Sequence, residues 1–364
     1  MIGGGIGGLT AAIALRRRGF EVDVIEKDPA WSVYGVGILQ QANVLRAMAE
    51  LGLIDRYLAA GFGYDVLDVF VPSGAKVATL PMPKLVPGYP SCVGISRRSL
   101  HEALGSATLE AGARIRLGLT ASALEEQRGG VLARFSDGSE GRYHATIGAD
   151  GLYSATRTML FPDAPVPRFS GQSVWRYNFP RAADVRNLQI YEGPVGMGLV
   201  PMSDALMYLY VTTAEPGNPR YPVEGLAAAM RSKLRQVPPP LQPLVAQVTD
   251  DEGVVYRPLE TVLVAGPWHR GRTTLLGDAA HATTPHLGQG AGMAIEDAIV
   301  VAEELARHDE PQAAFVAYQR RRFARCQYIV EHSLAVCRGQ LGQGPLLDNA
   351  AESRAMFEVI SAPL

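Results

Sequence analysis

Three clusters of glycine and acid hold the residues best suited to chemistry in this 364-residue chain. The first, Gly3-Gly4-Gly5-Ile6-Gly7-Gly8, fits G-x-G-x-x-G through Gly3, Gly5 and Gly8. In such a loop the first glycine makes a tight turn and the second lets backbone approach a pyrophosphate. The third brings helix and strand together, and the helix N-terminus offers N–H donors. Glu26 follows Gly8 by 18 residues, with Lys27 next to it. A carboxylate there accepts from a ribose 2′-OH and repels a 2′-phosphate, which favours FAD or NAD over NADP at this loop. The second cluster is Gly148-Ala149-Asp150-Gly151, continuing to Ser154 and Arg157. The third is LLGDAAHATTPHLGQGAGMAIEDA, residues 275–298. It sets Asp278 after an apolar strand, then a turn of Gly288, Gln289, Gly290, Ala291 and Gly292 leading into a helix from about Met293. An acidic turn can accept ribityl hydroxyls, and a helix N-terminus stabilises negative charge on a ring. Taken singly, the second and third clusters also read as ordinary Asp-capped turns.

The elements around these clusters follow from periodicity. Residues 7–18 read as a helix with Leu9, Ala12, Ile13 and Leu15 on its apolar face, stopped by Gly19 and followed by the strand FEVDVIE. This is β-loop-α-β with almost no first strand, since Met1 and Ile2 alone precede Gly3. The expectation is that the natural chain carries residues ahead of Met1, because a central strand reduced to a stub forfeits ladder hydrogen bonds and apolar burial. A helix is expected over 43–60, a hairpin over 64–81 turning at Pro72-Ser73-Gly74, a helix near 98–111, and strands near 113–119 and 131–135. Between about 165 and 265 the runs SVWRYNFP, LQIY and LMYLYVTT read as an antiparallel sheet, with a helix at 224–236. A long helix near 311–337 ends the pattern. The layout is a nucleotide-binding domain in three separated pieces with a sheet domain inserted between them.

Composition narrows the class. Hydrophobic residues make up 47% and charged residues 19%, which supplies a sizeable core. Net charge is −2, so no global basic field recruits nucleic acid or an anionic membrane. No apolar run approaches the roughly 20 residues a membrane helix needs, and a cytoplasmic location is expected. Cys326 and Cys337 fall on one helix, about 16 Å apart at 1.5 Å per residue, beyond disulfide reach. With Cys92 they are expected to be reduced thiols, and no Cys/His spacing suggests a metal.

In this order and spacing, the three clusters resemble the single-component FAD-dependent aromatic hydroxylases, the para-hydroxybenzoate and salicylate hydroxylase group of flavoprotein monooxygenases. ISRRSLHEAL, GPWHRGRTTLLGDAAH and YQRRRFARCQYIVEHS extend the resemblance over nearly the whole chain. It implies an α/β fold, with a Rossmann-like FAD-binding domain of the para-hydroxybenzoate hydroxylase type and an inserted antiparallel-sheet substrate domain. The implied division assigns 1–64, 92–164 and 266–364 to the FAD-binding domain, and 65–91 and 165–265 to the sheet domain. Gly3, Gly5, Ile6, Gly8, Glu26 and Lys27 would hold the ADP half of FAD. Arg97 would reach the phosphate or ribityl region and Asp278 the ribityl or pyrophosphate end. The turn Gly288–Met293 would offer N–H groups to the flavin's N1–C2=O edge. Asp150 and Arg157 would serve FAD or the phosphates of NADH or NADPH, a co-substrate that binds transiently.

The implied reaction uses NAD(P)H and O2 to hydroxylate a small aromatic or heteroaromatic ring through a flavin C4a-hydroperoxide. A larger polycyclic substrate and a non-catalytic FAD-binding module are the alternatives. Candidates at the reacting end are Pro285, which matches the family proline beside the flavin, and His286, a possible base or hydrogen-bond partner. Tyr191 and Tyr208 could donate from the sheet, and Arg176 could pair a substrate carboxylate or an internal acid. Each also has a packing role open to it; Tyr208 and Tyr210 share a strand face. His281 is read as structural. A monomer or homodimer is expected.

Overall fold

The computed structural model describes every residue except Tyr34, Pro194 and Gln236, and the side chain of Asn349. The expected helix at 224–236 therefore ends partly outside the described residues; its core is Leu226–Lys233.

Two sheets organise the molecule. In the first, Asp23–Glu26 pairs in parallel with Arg114–Leu117, and Thr146–Gly148 in parallel with Thr273–Leu275. Ile2 bridges the two halves through Ile25 and Gly148. The backbone N–H groups of Ile2 and Gly3 donate to Ile147 and Ile25 at 2.9 and 2.8 Å. Met1–Gly3 thus occupies the central strand position, and the glycine loop leaves from it. The first helix, Ile6–Arg16, is buried at every position from Gly8 to Leu15. It packs against Gly290–Arg307, whose residues from Gly292 to Ala302 are all buried. Helices buried on all sides belong at a domain centre, and these two form it, the second with Glu296 and Asp297 buried in it.

The second sheet has seven strands, ordered Val255–Thr261, Arg168–Pro180, Leu206–Ala214, Met197–Pro201, Leu188–Tyr191, Val66–Phe70 and Lys76–Pro81. Alternation gives it two faces. Trp175, Phe179, Leu209 and Val211 point to one face and pack on Met230 and Leu234. Tyr208, Tyr210, Leu188 and Ile190 point to the other. The hairpin turns where expected, with Gly74 at φ +85. Met197–Pro201 and Val255–Thr261 were not anticipated from sequence. The helix expected over 43–60 is two helices, Ala42–Glu50 and Ile54–Ala59, because Gly52 adopts φ +64 between them. A final helix, Asn349–Ser361, also went unforeseen. No helix among the described residues is long and apolar enough to cross a membrane.

Candidate active site

A cavity of about 790 Å³ runs between the two sheets. One end is built by the glycine loop. Gly3 holds φ +106, and a Cβ on it would lie 2.4 Å from Ala149 O; one on Gly8 would lie 2.0 Å from Gly3 O. Both positions are backbone-on-backbone contacts. Gly5 differs: a Cβ there meets no atom within 4 Å and points into open space. Gly5, Ile6 and Lys27 line the cavity with Glu26. Glu26 Oε2 accepts from Gly4 N–H at 2.8 Å and Oε1 from Asp28 N–H at 2.9 Å, so the carboxylate is held on the loop's shoulder.

The helix Ile6–Arg16 has no side-chain cap, and neither has Gly290–Arg307. By contrast Ser96 caps Arg97–Glu110 and Ser154 caps Ala155–Leu160. The two uncapped N-termini open on the cavity through Gly5, Ile6, Gly290 and Ala291. Unsatisfied N–H groups with positive dipole fit a pyrophosphate at one and an electron-rich ring edge at the other. Gly288, at φ +66, lines the approach. Gln289, Gly292 and Met293 turn inward: Gln289 hydrogen-bonds Gln41 and Asn43, and Met293 is core. This helix begins at Gly290, three residues before the expected start. Arg97 and Asp278 also face the cavity. Asp278 makes no hydrogen bond or ion pair among the described residues; burial raises its pKa, with His281 and Arg97 opposing.

The second cluster departs from expectation. Asp150 accepts from Ser154 Oγ at 2.5 Å, Thr156 N–H at 2.9 Å and Thr156 Oγ1 at 2.9 Å. Arg157 is 3% exposed and donates to the carbonyls of Ala279 and Leu152 at 3.0 and 2.9 Å. These side chains brace the loop and tie it to the Asp278 turn; Ala149 and Gly151 present the backbone that lines the cavity.

Beneath the Asp278 turn lies a buried ionic network. Asp297 Oδ2 accepts from Gly277 N–H at 3.0 Å and contacts His281 Nε2 at 2.6 Å, while Oδ1 takes Arg322 Nε at 2.8 Å. Glu296 pairs with Arg322 at 2.8 Å and Arg325 at 2.9 Å. Burial raises Asp297's pKa, but His281 and Arg322 outweigh it and hold the carboxyl well below the usual range. His281, Asp297 and Cys326 come within 4.8 Å of one another, yet Asp297's oxygens are engaged by Arg322, His281 and Gly277, so the group reads as a closed brace rather than a metal site.

The sheet forms the other wall. Arg176 and Tyr210 are directly paired across strands, and both line the cavity with Tyr208. Arg176 has no hydrogen bond or ion pair among the described residues. Burial, then the charges of Arg97 and Arg257, lower its pKa to about 10, so it remains a cation at neutral pH. Burial raises the pKa of Tyr208 and Tyr210, so both phenols stay protonated. Tyr208 also packs against Gly37, where a Cβ would lie 2.2 Å from its ring, locking sheet to strand Gly37–Gln40. Tyr191 also borders the cavity, but its ring and hydroxyl are engaged elsewhere. Its ring stacks on Phe70 at 4.8 Å within the cluster on the opposite face, and its hydroxyl donates to Gln189 at 3.0 Å. The register that packs Leu188 and Ile190 on the cavity face packs the Tyr191 ring into the cluster of the other face.

Pro285 and His286 both line the cavity. His286 Nδ1 lies 2.9 Å from Thr284 Oγ1, and Nε2 lies 3.1 and 3.2 Å from the Oε1 atoms of Gln172 and Gln340. Burial lowers its pKa to about 4. Tyr210, Thr212 and Gln340 were missed by sequence reasoning. The period-two run Tyr208-Leu209-Tyr210-Val211-Thr212 could have found the first two.

Comparison with known proteins gives the family and the fold. A family model described as FAD binding domain matches residues 1–333. The chain is 33% identical to 3-hydroxybenzoate 6-hydroxylase of Polaromonas naphthalenivorans, over 94% of this chain and 88% of that protein. It is also 33% identical to aurachin C monooxygenase/isomerase of Stigmatella aurantiaca, with the same coverage. The crystal structure of Klebsiella pneumoniae HpxO complexed with FAD and uric acid superposes with TM-score 0.82 at 26% identity, covering 99% of this chain and 91% of that one. The chain belongs to the FAD binding domain family and is an FAD-dependent monooxygenase of the aromatic hydroxylase type.

Proposed function

We propose that this enzyme uses NADH or NADPH and O2 to hydroxylate a small aromatic or heteroaromatic acid. The stoichiometry is Ar–H, O2, NAD(P)H and H⁺ to Ar–OH, water and NAD(P)⁺. FAD, when bound, supplies hydride acceptance and oxygen transfer. The protein's part is to hold, orient and shield. Gly5, Ile6, Glu26, Arg97 and Asp278 are the groups placed to hold the cofactor, with the backbone of Gly288–Ala291 beside its ring. Segments 1–64, 92–164 and 266–364 then form the cofactor domain, and 65–91 and 165–265 the substrate domain.

One observation carries the substrate class: Arg176 is a cation on the cavity wall, beside two phenols and two further arginines, with no counter-ion among the described residues. A buried charge left unpaired is costly, and an anionic ligand relieves that cost. Tyr208 and Tyr210 flank it as donors to a ligand oxygen, and Pro285 packs at the ring's reacting end. Held neutral, His286 is suited to orientation rather than to proton abstraction.

The test is NADH and NADPH oxidation by FAD-loaded protein against a panel of benzoates, hydroxybenzoates and pyridine carboxylates. Marked stimulation by a carboxylate-bearing ring, with oxygenated product, is expected. FAD-loaded protein that no aromatic acid stimulates contradicts the proposal.

A further inference from the structure

The cavity's sheet wall is polar at two places of different chemistry. Arg176 and Tyr210 face each other across strands, and the next pair on that face is Val174 with Thr212. Gln172 follows two residues beyond Val174 on the same strand. Two residues of strand span about 7 Å, so Thr212 stands about 7 Å from the Arg176 position and Gln172 about twice that. At this far end four elements converge: Gln172 and Thr212 from the sheet, His286 from the turn after Pro285, and Gln340 from the last residue of helix Pro311–Gln340.

Hydrogen bonding leaves this cluster with a defined surplus. Gln340 Oε1 lies 3.0 Å from Gln172 Nε2, 3.2 Å from Thr212 Oγ1 and 3.2 Å from His286 Nε2. Gln172 Oε1 lies 3.1 Å from His286 Nε2 and 3.3 Å from Cys337 Sγ. Gln340 Oε1 thus accepts from the Gln172 amide, and Gln172 Oε1 from the Cys337 thiol, with one His286 N–H at most shared between the two oxygens. With Gln172 oriented by the Cys337 thiol, which donates to its Oε1, turning Gln340 over would set its NH2 against the NH2 of Gln172. Nε2 of Gln340 is left with no acceptor among the described residues, and Gln340 lines the cavity beside Thr212 and His286. Every member of the cluster is uncharged. The far end thus offers a neutral donor.

We infer that Gln340, backed by Gln172, Thr212 and His286, forms a second ligand subsite that donates a hydrogen bond to a neutral acceptor on the substrate ring, opposite the anionic group held by Arg176. The acceptor is a hydroxyl or carbonyl oxygen, or a ring nitrogen. The inference rests on the proposed role of Arg176 and adds a length rule: the two polar groups of the ligand sit across one ring from each other. It assigns specificity to the end of the long helix, outside the three glycine clusters.

The experiment titrates FAD-loaded protein with benzoate and with 4-hydroxybenzoate, following flavin absorbance. Both carry the carboxylate for Arg176, and the second alone carries an oxygen across the ring. Wild type is expected to bind 4-hydroxybenzoate about tenfold more tightly, the worth of one buried hydrogen bond. Gln340→Met brings the two ligands within about twofold of each other and leaves benzoate affinity unchanged. Gln340→Glu replaces the donor with a carboxylate, which can still accept from a phenol but repels a group that only accepts, so 4-formylbenzoate, bound more tightly than benzoate by wild type, falls below benzoate in this variant. This near-isosteric variant decides the matter alone should the Met variant fail to fold. Equal wild-type affinities, or a preference that survives both substitutions, overturn the subsite and leave the Arg176 reading standing. Binding of neither ligand by FAD-loaded wild type overturns both.

Discussion

Arg322 and Arg176 both sit deep in this protein, and they differ in what surrounds them. Arg322 is met by two carboxylates, Glu296 at 2.8 Å and Asp297 at 2.8 Å, on the cofactor side of the cavity. Arg176, on the sheet side, faces two phenols and two further arginines, and no acid among the described residues pairs with it. The paired charge welds helix Pro311–Gln340 to Gly290–Arg307 and has nothing left to offer a ligand. The unpaired charge destabilises its wall until something anionic arrives. Of these two arginines, the saturated one marks structure and the unsaturated one the binding surface.

Breaking the paired side should have the largest effect. Arg322→Met removes the partner shared by two buried carboxylates and is expected to cost about 3 kcal/mol, enough to lower the melting temperature sharply and release FAD. Thermal unfolding with FAD quantitation checks it; a variant as stable as wild type would mean the network is dispensable. Arg176→Gln should behave in the opposite way. Folding stability is unchanged or raised, FAD content is normal, and stimulation by aromatic acids falls about a hundredfold in kcat/KM. Equal loss with neutral and anionic rings would remove its charge-pairing role.

The glycine loop sharpens the same contrast. Gly3→Ala meets the Ala149 carbonyl at 2.4 Å and a φ of +106, so it is expected to lose folded protein. Gly5→Ala meets no protein atom within 4 Å, so it should fold normally yet bind FAD about tenfold more weakly. Unchanged FAD affinity in folded Gly5→Ala would place the pyrophosphate elsewhere.

The smallest effect concerns pH. Burial depresses the His286 pKa from 6.5 to about 4, so between these values the unfolded chain binds more protons than the folded one. That contribution to stability is full above pH 6.5 and is lost as pH falls toward 4. His286→Gln should therefore flatten the fall in stability over this window, measured by urea unfolding at successive pH values. An unaltered pH profile would show that His286 is not held neutral.

The three clusters were legible because each needs special residue types: glycine where the backbone turns or touches backbone, acid where an N–H or hydroxyl must be met. Gly3, Gly5 and Asp278 declared the cofactor end for that reason. Direction was not legible. Asp150 and Arg157 have the composition of ligand-binding residues, but whether a side chain faces a cavity or its own loop depends on backbone geometry. Tyr191 and Tyr208 look alike in sequence, and a strand register puts them on opposite faces. Gln340 ends a 30-residue helix where a polar residue reads as surface. Only the meeting of that helix with two strands and the Pro285 turn gives it a role.

The most direct test of the central claim is a reaction under ¹⁸O2 with FAD-loaded enzyme, NAD(P)H and the aromatic acid that most stimulates oxidation, the product weighed by mass spectrometry. The account predicts a ring product carrying one ¹⁸O atom, lost in Arg176→Gln. Consumption of NAD(P)H with hydrogen peroxide as the sole oxygen product, and no labelled ring under any stimulating acid, would contradict it.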